Sequence, residues 1–498
     1  GLPLAIELAA ARLRVFTVEE LRDRLDDRLG VLDRGAGDAP ERHRTLRSAI
    51  QWSHDLLEPD EQKVFRRLSV FYGGWVLPAA LAVCSDDELG EAQVVDALEN
   101  LVARSLVVFA IDEQGRPRYR LLETLREFGL EQLRTAGEET EIRLEHLGWC
   151  LSLAERMLTI LPTPEFPTFL DELELERFNL REALAWASRT GEGIDQALVM
   201  CGMLPLFWDT RGYVSEGLRW IRGLVAMTTS DGVTAPRAMA HTAMGWLEML
   251  AGDGEESHWA FTTAVQMFRE LGDDDWLGRA LAMAGMTSYN RGDPDTAEIE
   301  FIEAIELNRR YGLDWLADAW CEYGLAHVAM QRGDLAEAQR RLHLVLDYSR
   351  QRGLTWGVGH SQLSLAAIAF MSGDVAQSVE RTLESLQVRY ELRDSRGLCD
   401  CIGMTALHAS VQGDHGFAAV LLGAAEVARE AAGYAPIPWL RPMLDQAEET
   451  SRSALGDGYP PRHAEGHKLS VDEAVQLIVS RRDEDGEAPQ LMEATPIG

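Results

Sequence analysis

Between about residues 195 and 430, the apolar and polar positions of the chain return with a period near forty. A Gly-Asp pair marks each return: Gly252-Asp253, Gly292-Asp293, Gly333-Asp334, Gly373-Asp374 and Gly413-Asp414, spaced 40, 41, 40 and 40. Seven residues before each of these glycines stands a small residue: Gly245, Gly285, Ala326, Ala366 or Ala406. Five after stands another: Ser257, Ala297, Ala338, Ser378 or Ala418. Nine after comes a larger, mostly apolar residue (Phe261, Phe301, Leu342, Thr382, Leu422), and twelve after a further set (Ala264, Ala304, Val345, Ser385, Ala425). A second series of glycines, Gly272, Gly312 and Gly353, falls between the first. Glycine adopts the positive φ that ends a helix, so two such turns per period predict two helices per repeat. The small residues predict helices whose backbones approach closely. Gly212 lies 40 before Gly252, which predicts a degenerate sixth copy at Arg211-Gly212-Tyr213.

The first 150 residues follow other patterns. Gly1-Leu2-Pro3-Leu4 opens a helix entered through proline, and a second starts at Val18 with Thr17 as its N-cap. Gly30 to Pro40 is a loop. Helices are predicted at Thr45–Leu57, Pro59–Ser69, Pro78–Val83 and Glu91–Ala103, with a turn at Phe71-Tyr72-Gly73-Gly74-Trp75. Two strands follow, Leu106–Ile111 and Arg118–Leu122, joined through Gly115. Helices followed by a hairpin match the order of a winged helix. The helix that would enter a DNA groove, 91–104, carries three acids and one base, so it would meet repulsion there. The wing carries Arg116, Arg118 and Arg120, alternating along a strand. The expected role of this unit is internal packing.

The expected fold class is mainly α: a helical segment plus winged helix, followed by an α-solenoid. Six segments are expected. Residues 1–40 are helical, 41–137 the winged helix, 138–194 a helical connector, 195–430 the repeats, 431–480 a C-terminal helical segment and 481–498 a disordered tail. The aromatics Trp246, Tyr289, Trp315, Tyr323 and Trp356 fall within the repeats. They are read either as packing between helices or as the lining of a concave groove for a peptide or small ligand.

The 498 residues carry 48 basic and 81 acidic side chains, a formal charge of −33. That field repels phosphate and argues against a large non-specific nucleic-acid surface. No uncharged apolar run reaches the ~18 residues of a membrane span, so no membrane partner is expected. The six cysteines are scattered without a C-x-x-C pair, which fits a reducing, cytoplasmic compartment. Lys63 and Lys468 are the only lysines, preceded by Gln62 and His467, so the chain has no Gly-Lys-Ser/Thr phosphate loop. It has no G-x-S-x-G elbow and no H-E-x-x-H, and the acidic pairs Asp86-Asp87 and Asp273-Asp274-Asp275 read as helix starts. No catalytic residue, metal ligand or bound cofactor is expected, and the chain itself is not expected to be an enzyme. It begins with Gly1 inside an apparent motif, which suggests that a longer protein precedes it.

The forty-residue register resembles the tetratricopeptide repeat, lengthened by about six residues from the usual period. Gly1-Leu2-Pro3-Leu4-Ala5-Ile6-Glu7-Leu8 resembles the Gly-x-Pro motif of NB-ARC-type STAND ATPases. Thr45–Ser53, Phe65–Phe71 and Tyr119–Phe128 look like the winged-helix segment of their large actinobacterial, LuxR-type relatives, and Leu421–Glu426 through Leu469–Val475 resembles their usual ending. The resemblance implies a nucleotide switch in which an upstream domain holds ATP or ADP and Pro3 packs near the base. The winged helix would close over the nucleotide, the repeats would sense a protein or small-molecule inducer, and DNA would be bound only through a domain outside this chain. Where many relatives have Met-His-Asp this chain has Leu121-Leu122-Glu123, and leucine cannot hydrogen-bond a phosphate. Glu123 is read as a helix-start acid that could also pair with an arginine. The alternative is a stand-alone tetratricopeptide scaffold for a protein or peptide partner.

Overall fold

The structure is a computed structural model that describes residues 46–485, apart from 112–114, 162, 229–231, 312–314, 433–435 and 438. Pro3, the expected helices before residue 41 and the turn at Gly312 lie outside the described residues. The described chain forms two compact units. One reaches Ser152 and includes Glu174–Gly193; the other comprises Leu153–Leu173 and the residues from Ile194 onward. The expected connector 138–194 is therefore shared between them.

The first unit contains α1 (Leu46–Asp55), α2 (Pro59–Leu68), α3 (Leu77–Cys84), α4 (Glu91–Ala103), β1 (Val108–Ile111), β2 (Pro117–Arg120) and α5 (Glu123–Thr135). It also contains parts of α6 (Glu139–Ile160) and α7 (Phe166–Thr190). Pro59 starts α2, where Glu58 and Glu61 close a capping box. β1 and β2 pair antiparallel, with Phe109 opposite Tyr119, and Trp75 adds a bridge to Tyr119. Gly74, at φ 107°, permits this bridge: a Cβ there would lie 2.6 Å from the Tyr119 carbonyl oxygen. Phe65, Phe71, Trp75 and Phe128 fill the core. Buried Arg67 donates to Asp86 at 2.6 Å, Glu138 at 3.1 Å and the Cys84 carbonyl at 2.8 Å. Lys63, at 2.9 Å, and then Arg67 hold the Asp86 carboxyl well below the usual range. Glu123 starts α5 and pairs with Arg126 at 3.0 Å, combining the two roles open to it in the sequence.

The second unit is a run of helix pairs. α8 (Ile194–Met203), α9 (Pro205–Thr210) and α10 (Val214–Met227) precede α11 (Ala235–Ala251) and α12 (Gly254–Leu271). Then come α13 (Asp274–Asn290), α14 (Pro294–Tyr311), α15 (Trp315–Gln331), α16 (Leu335–Arg352), α17 (Thr355–Met371), α18 (Val375–Glu391), α19 (Ser395–Val411) and α20 (His415–Ala432). α21 (Arg441–Leu455), α22 (Tyr459–Gly466) and α23 (Val471–Asp485) close the array. The fold is mainly α, a winged helix followed by tetratricopeptide-like helix pairs.

Each Gly-Asp pair is the link within one helix pair. The five glycines have φ between 79° and 88°. The following aspartates cap the next helix, accepting from Glu256, Thr296, Glu337, Gln377 and Phe417 backbone N–H groups at 3.0–3.2 Å. Gly212 keeps the turn, φ 75°, but Tyr213 makes no side-chain cap, so this copy is degenerate. Forty residues after Gly353 the matching left-handed turn is made by Arg393, φ 52°, without glycine. All twenty small and knob positions of the period are buried. The last helix runs to Asp485, past the expected boundary at 480, and Arg481 pairs with Asp414 and lies over Phe417.

Candidate functional site

The first helix of each pair turns one stripe inward. Thirteen residues before each Gly-Asp glycine stand Met239, Arg279, Trp320, His360 and Asp400. Residues one and two turns along, such as Thr242, Trp246, Ala282, Met286, Tyr323 and His327, complete the same face. Apart from Met239 and Asp400, this stripe lines two adjoining clefts within the second unit, with Trp320 a wall of both.

The first cleft, of about 140 Å3, is apolar. Met157, Leu161, Met203, Trp246, Trp276, Met283 and Trp356 line it, with Arg279 as its charged member. Trp320 stacks near Trp246 at 5.8 Å and lies tilted against Trp356 at 4.5 Å between ring centroids. The second cleft, of about 300 Å3, is more polar and holds Tyr289, Tyr323, His327, His360, Arg396, Trp439 and Arg441. His327 and His360 lie one turn beyond the carbonyls of Tyr323 and Trp356, at 2.9 and 3.1 Å from Nδ1. A carbonyl only accepts, so Nδ1 carries the proton in both rings and Nε2 is left as an acceptor. His327 Nε2 meets Ser364 Oγ at 3.2 Å. His360 Nε2 and Trp320 Nε1 are buried and have no hydrogen-bond partner among the described residues. An unmatched acceptor and donor in a cleft wall are groups that a ligand can satisfy. Burial, reinforced by Arg389 and Arg396, holds His360 neutral well below its ordinary pKa, and burial pushes His327 down to about 4.

A charged cluster backs this face. Arg396 pairs with Asp209 at 2.8 Å, and buried Arg389 pairs with Asp394 at 2.5 Å. Asp394 also caps α19 by accepting from the Gly397 N–H. Asp400 is buried with an unpartnered Oδ1, and burial pushes its pKa up to about 6 despite Arg396 and Arg389.

Of the aromatics singled out in the sequence, Trp246, Tyr289, Tyr323 and Trp356 line these clefts. The side chain of Trp315 lies outside the described residues. Both readings hold at Tyr289 and Tyr323, which are buried between helices and also face the polar cleft. Sequence reasoning missed Trp320, His360, Arg396 and Asp400. For Trp320, His360 and Asp400 the repeat register held the signal, at thirteen residues before each Gly-Asp glycine, but the chemistry there changes in every copy; Arg396 lies off that position.

The winged helix presents a different surface. Glu91, Asp96 and Glu99 are exposed on α4. Arg118 of the wing donates to buried Glu176 at 2.5 Å. Asn179 donates to the Gly74 carbonyl and accepts from the Tyr72 N–H, both at 2.8 Å. The wing is thus tied to α7 by buried polar contacts. Of the helices among the described residues, none is long and apolar enough to cross a membrane.

Residues 57–134 match the family described as winged helix-turn-helix domain. The chain is homologous to a Mycobacterium tuberculosis protein that carries the provisional name HTH-type transcriptional regulator Rv0890c, with 38% identity over 324 residues. That match covers 63% of this chain and 36% of the relative. A second M. tuberculosis relative, the uncharacterized protein Rv0894, is 41% identical over 139 residues, 28% of this chain and 35% of that protein. The chain spans about a third of the length of the curated relatives it matches. A solved structure, the STAND protein with a tetratricopeptide repeat sensor from Pyrococcus horikoshii, aligns over 96% of this chain and 73% of its own at 12% identity, with a TM-score of 0.44.

Proposed function

We propose that this chain is the regulatory and sensing portion of a larger STAND-type transcriptional regulator, acting in the cytoplasm. In this reading the repeats bind an inducer or partner on the inward stripe, and the winged helix is a packing and latch module. The observation that carries it is the pair of clefts walled by Trp246, Trp320 and Trp356, with unpartnered His360 Nε2 and Trp320 Nε1 in the wall. Such a surface suits a ligand with a flat apolar body and a polar or anionic end, the latter directed toward Arg396 and Arg441. Homology to the mycobacterial regulator supports a role in transcription. The acidic face of α4 and the engagement of Arg118 by Glu176 support DNA contact by another domain. Binding of ATP or ADP, and any hydrolysis, would belong to the rest of the protein; this chain would act by binding, without catalysis or a cofactor of its own.

The test uses the full chain and the anionic aromatic dye anilinonaphthalene sulfonate. Dye fluorescence should rise on binding and fall at least tenfold in affinity in Trp320→Ala and Trp356→Ala. Equal affinity in these variants would reject the inward stripe as the site. A random-sequence DNA duplex should give no mobility shift at physiological salt; a tight shift would reject the packing role of the winged helix.

A further inference from the structure

Helices α20 and α22 cross at unusually short range. A Cβ on Gly423 would lie 2.2 Å from the His463 carbonyl oxygen, and one on Gly466 would lie 2.0 Å from the Val420 carbonyl oxygen. Only glycine at both positions lets the backbones meet. Glu426 follows Gly423 by three residues, and His463 and His467 flank Gly466 on one helical face. The crossing therefore delivers one carboxylate to two imidazoles. Glu426 Oε2 is 3.1 Å from His467 Nε2 and 3.4 Å from His463 Nε2, and the three donor atoms all lie within 4.8 Å of one another.

The geometry points to a divalent transition-metal site of the zinc class at Glu426, His463 and His467. With bonds of 2.0–2.1 Å, neighbouring ligands of a tetrahedral zinc ion stand about 3.3–3.4 Å apart. Two edges of the triangle already match that spacing, so a small closing movement of the imidazoles completes it. Two histidines and one carboxylate suit zinc and its neighbours better than calcium or magnesium, which take oxygen donors. His463 is oriented by stacking on Tyr459, with ring centroids 5.4 Å apart. Glu426 and His463 line an open cleft in which Glu426, Glu430, Asp445 and Glu448 outnumber Arg429 and Arg441, so the approach is net acidic. Three protein donors leave a coordination position for water or a partner's side chain. This site departs from the expectation that the chain holds no metal ligands, because the spacing His463-x-x-x-His467 gains its third donor only through the fold. It is independent of the inward stripe.

The test is a Zn2+ titration of the metal-free full chain against a chromophoric chelator, repeated for Glu426→Gln, His467→Asn and the double variant His463→Asn/His467→Asn. Glu426 and His467 are exposed, so their single variants should keep the wild-type circular dichroism spectrum. The wild type should take up one tight Zn2+ per chain. Each single variant should bind at least tenfold more weakly, and the double variant should lose the site. Co2+ in the same position should give the intense visible bands of a low-symmetry, four-coordinate ion. No tight zinc in the wild type, or the same affinity in the double variant, would overturn the assignment and leave Glu426 as a hydrogen-bonded partner of two histidines.

Discussion

Phe301 lies between Gly285 and Gly324 and occupies the space that a side chain at either would take. A Cβ on Gly285 would come within 2.7 Å of the ring, and one on Gly324 within 2.1 Å. The same device recurs at Gly245, where a Cβ would meet Phe261 at 2.7 Å. In the next three copies the position seven before the turn is alanine and the knob is Leu342, Thr382 or Leu422. In the register, larger knobs go with glycine and smaller knobs with alanine, a pairing that keeps the summed side-chain volume similar.

Gly324→Ala should therefore destabilise by about 2–3 kcal/mol through overpacking. Phe301→Leu should restore part of this in the double variant. Urea unfolding of the four proteins in the cycle measures the coupling; strictly additive effects would show that the ring and the glycine do not share space.

The aspartates after the turns are equivalent caps. Asp334→Ala should cost about 1 kcal/mol, and Asp334→Asn much less, because asparagine also accepts from the N–H of Glu337. The midpoint of chemical unfolding for the two variants decides this.

In the winged helix, Arg118→Ala removes the wing's cation from buried Glu176 and should cost about 3 kcal/mol. A loss near zero in thermal unfolding would mean that the pair is screened like a surface bridge. Asn179→Ala should weaken the same tie by removing the acceptor of Tyr72 N–H and the donor to Gly74.

Acid should weaken the repeats through His327. Its folded pKa is held near 4 by burial, against about 6.5 in an unfolded chain. Between these values the unfolded chain binds more protons, so the contribution is complete above pH 6.5 and is lost as pH falls through 4. At pH 4.5 the loss is about 2–3 kcal/mol. His146, held near 3, and His241, held near 4, act in the same direction. Asp400, pushed up to about 6, acts oppositely, because its protonation favours the folded state as pH falls. His327→Gln should flatten the decline in urea midpoint between pH 7 and 4.5; an unchanged slope would place the acid sensitivity elsewhere.

The periodicity alone determined the helix pairs, their Gly-Asp turns and caps, and the buried twenty positions of the register. Those features depend on neighbours within some forty residues, and glycine, aspartate and small residues each have one local reason to recur there. The winged-helix order was also readable, since Pro59, the Gly73-Gly74 turn and the hairpin act within a few residues of themselves. What only the tertiary structure decided is where chemistry converges. Trp246, Trp320 and Trp356 belong to three different repeats and become one wall only when the helices stack. Glu426 meets His463 and His467 only because Gly423 and Gly466 let two backbones touch. Wing Arg118 is engaged only because α7 supplies buried Glu176. Periodicity records which face of a helix is buried, but not which side chains from distant helices share it.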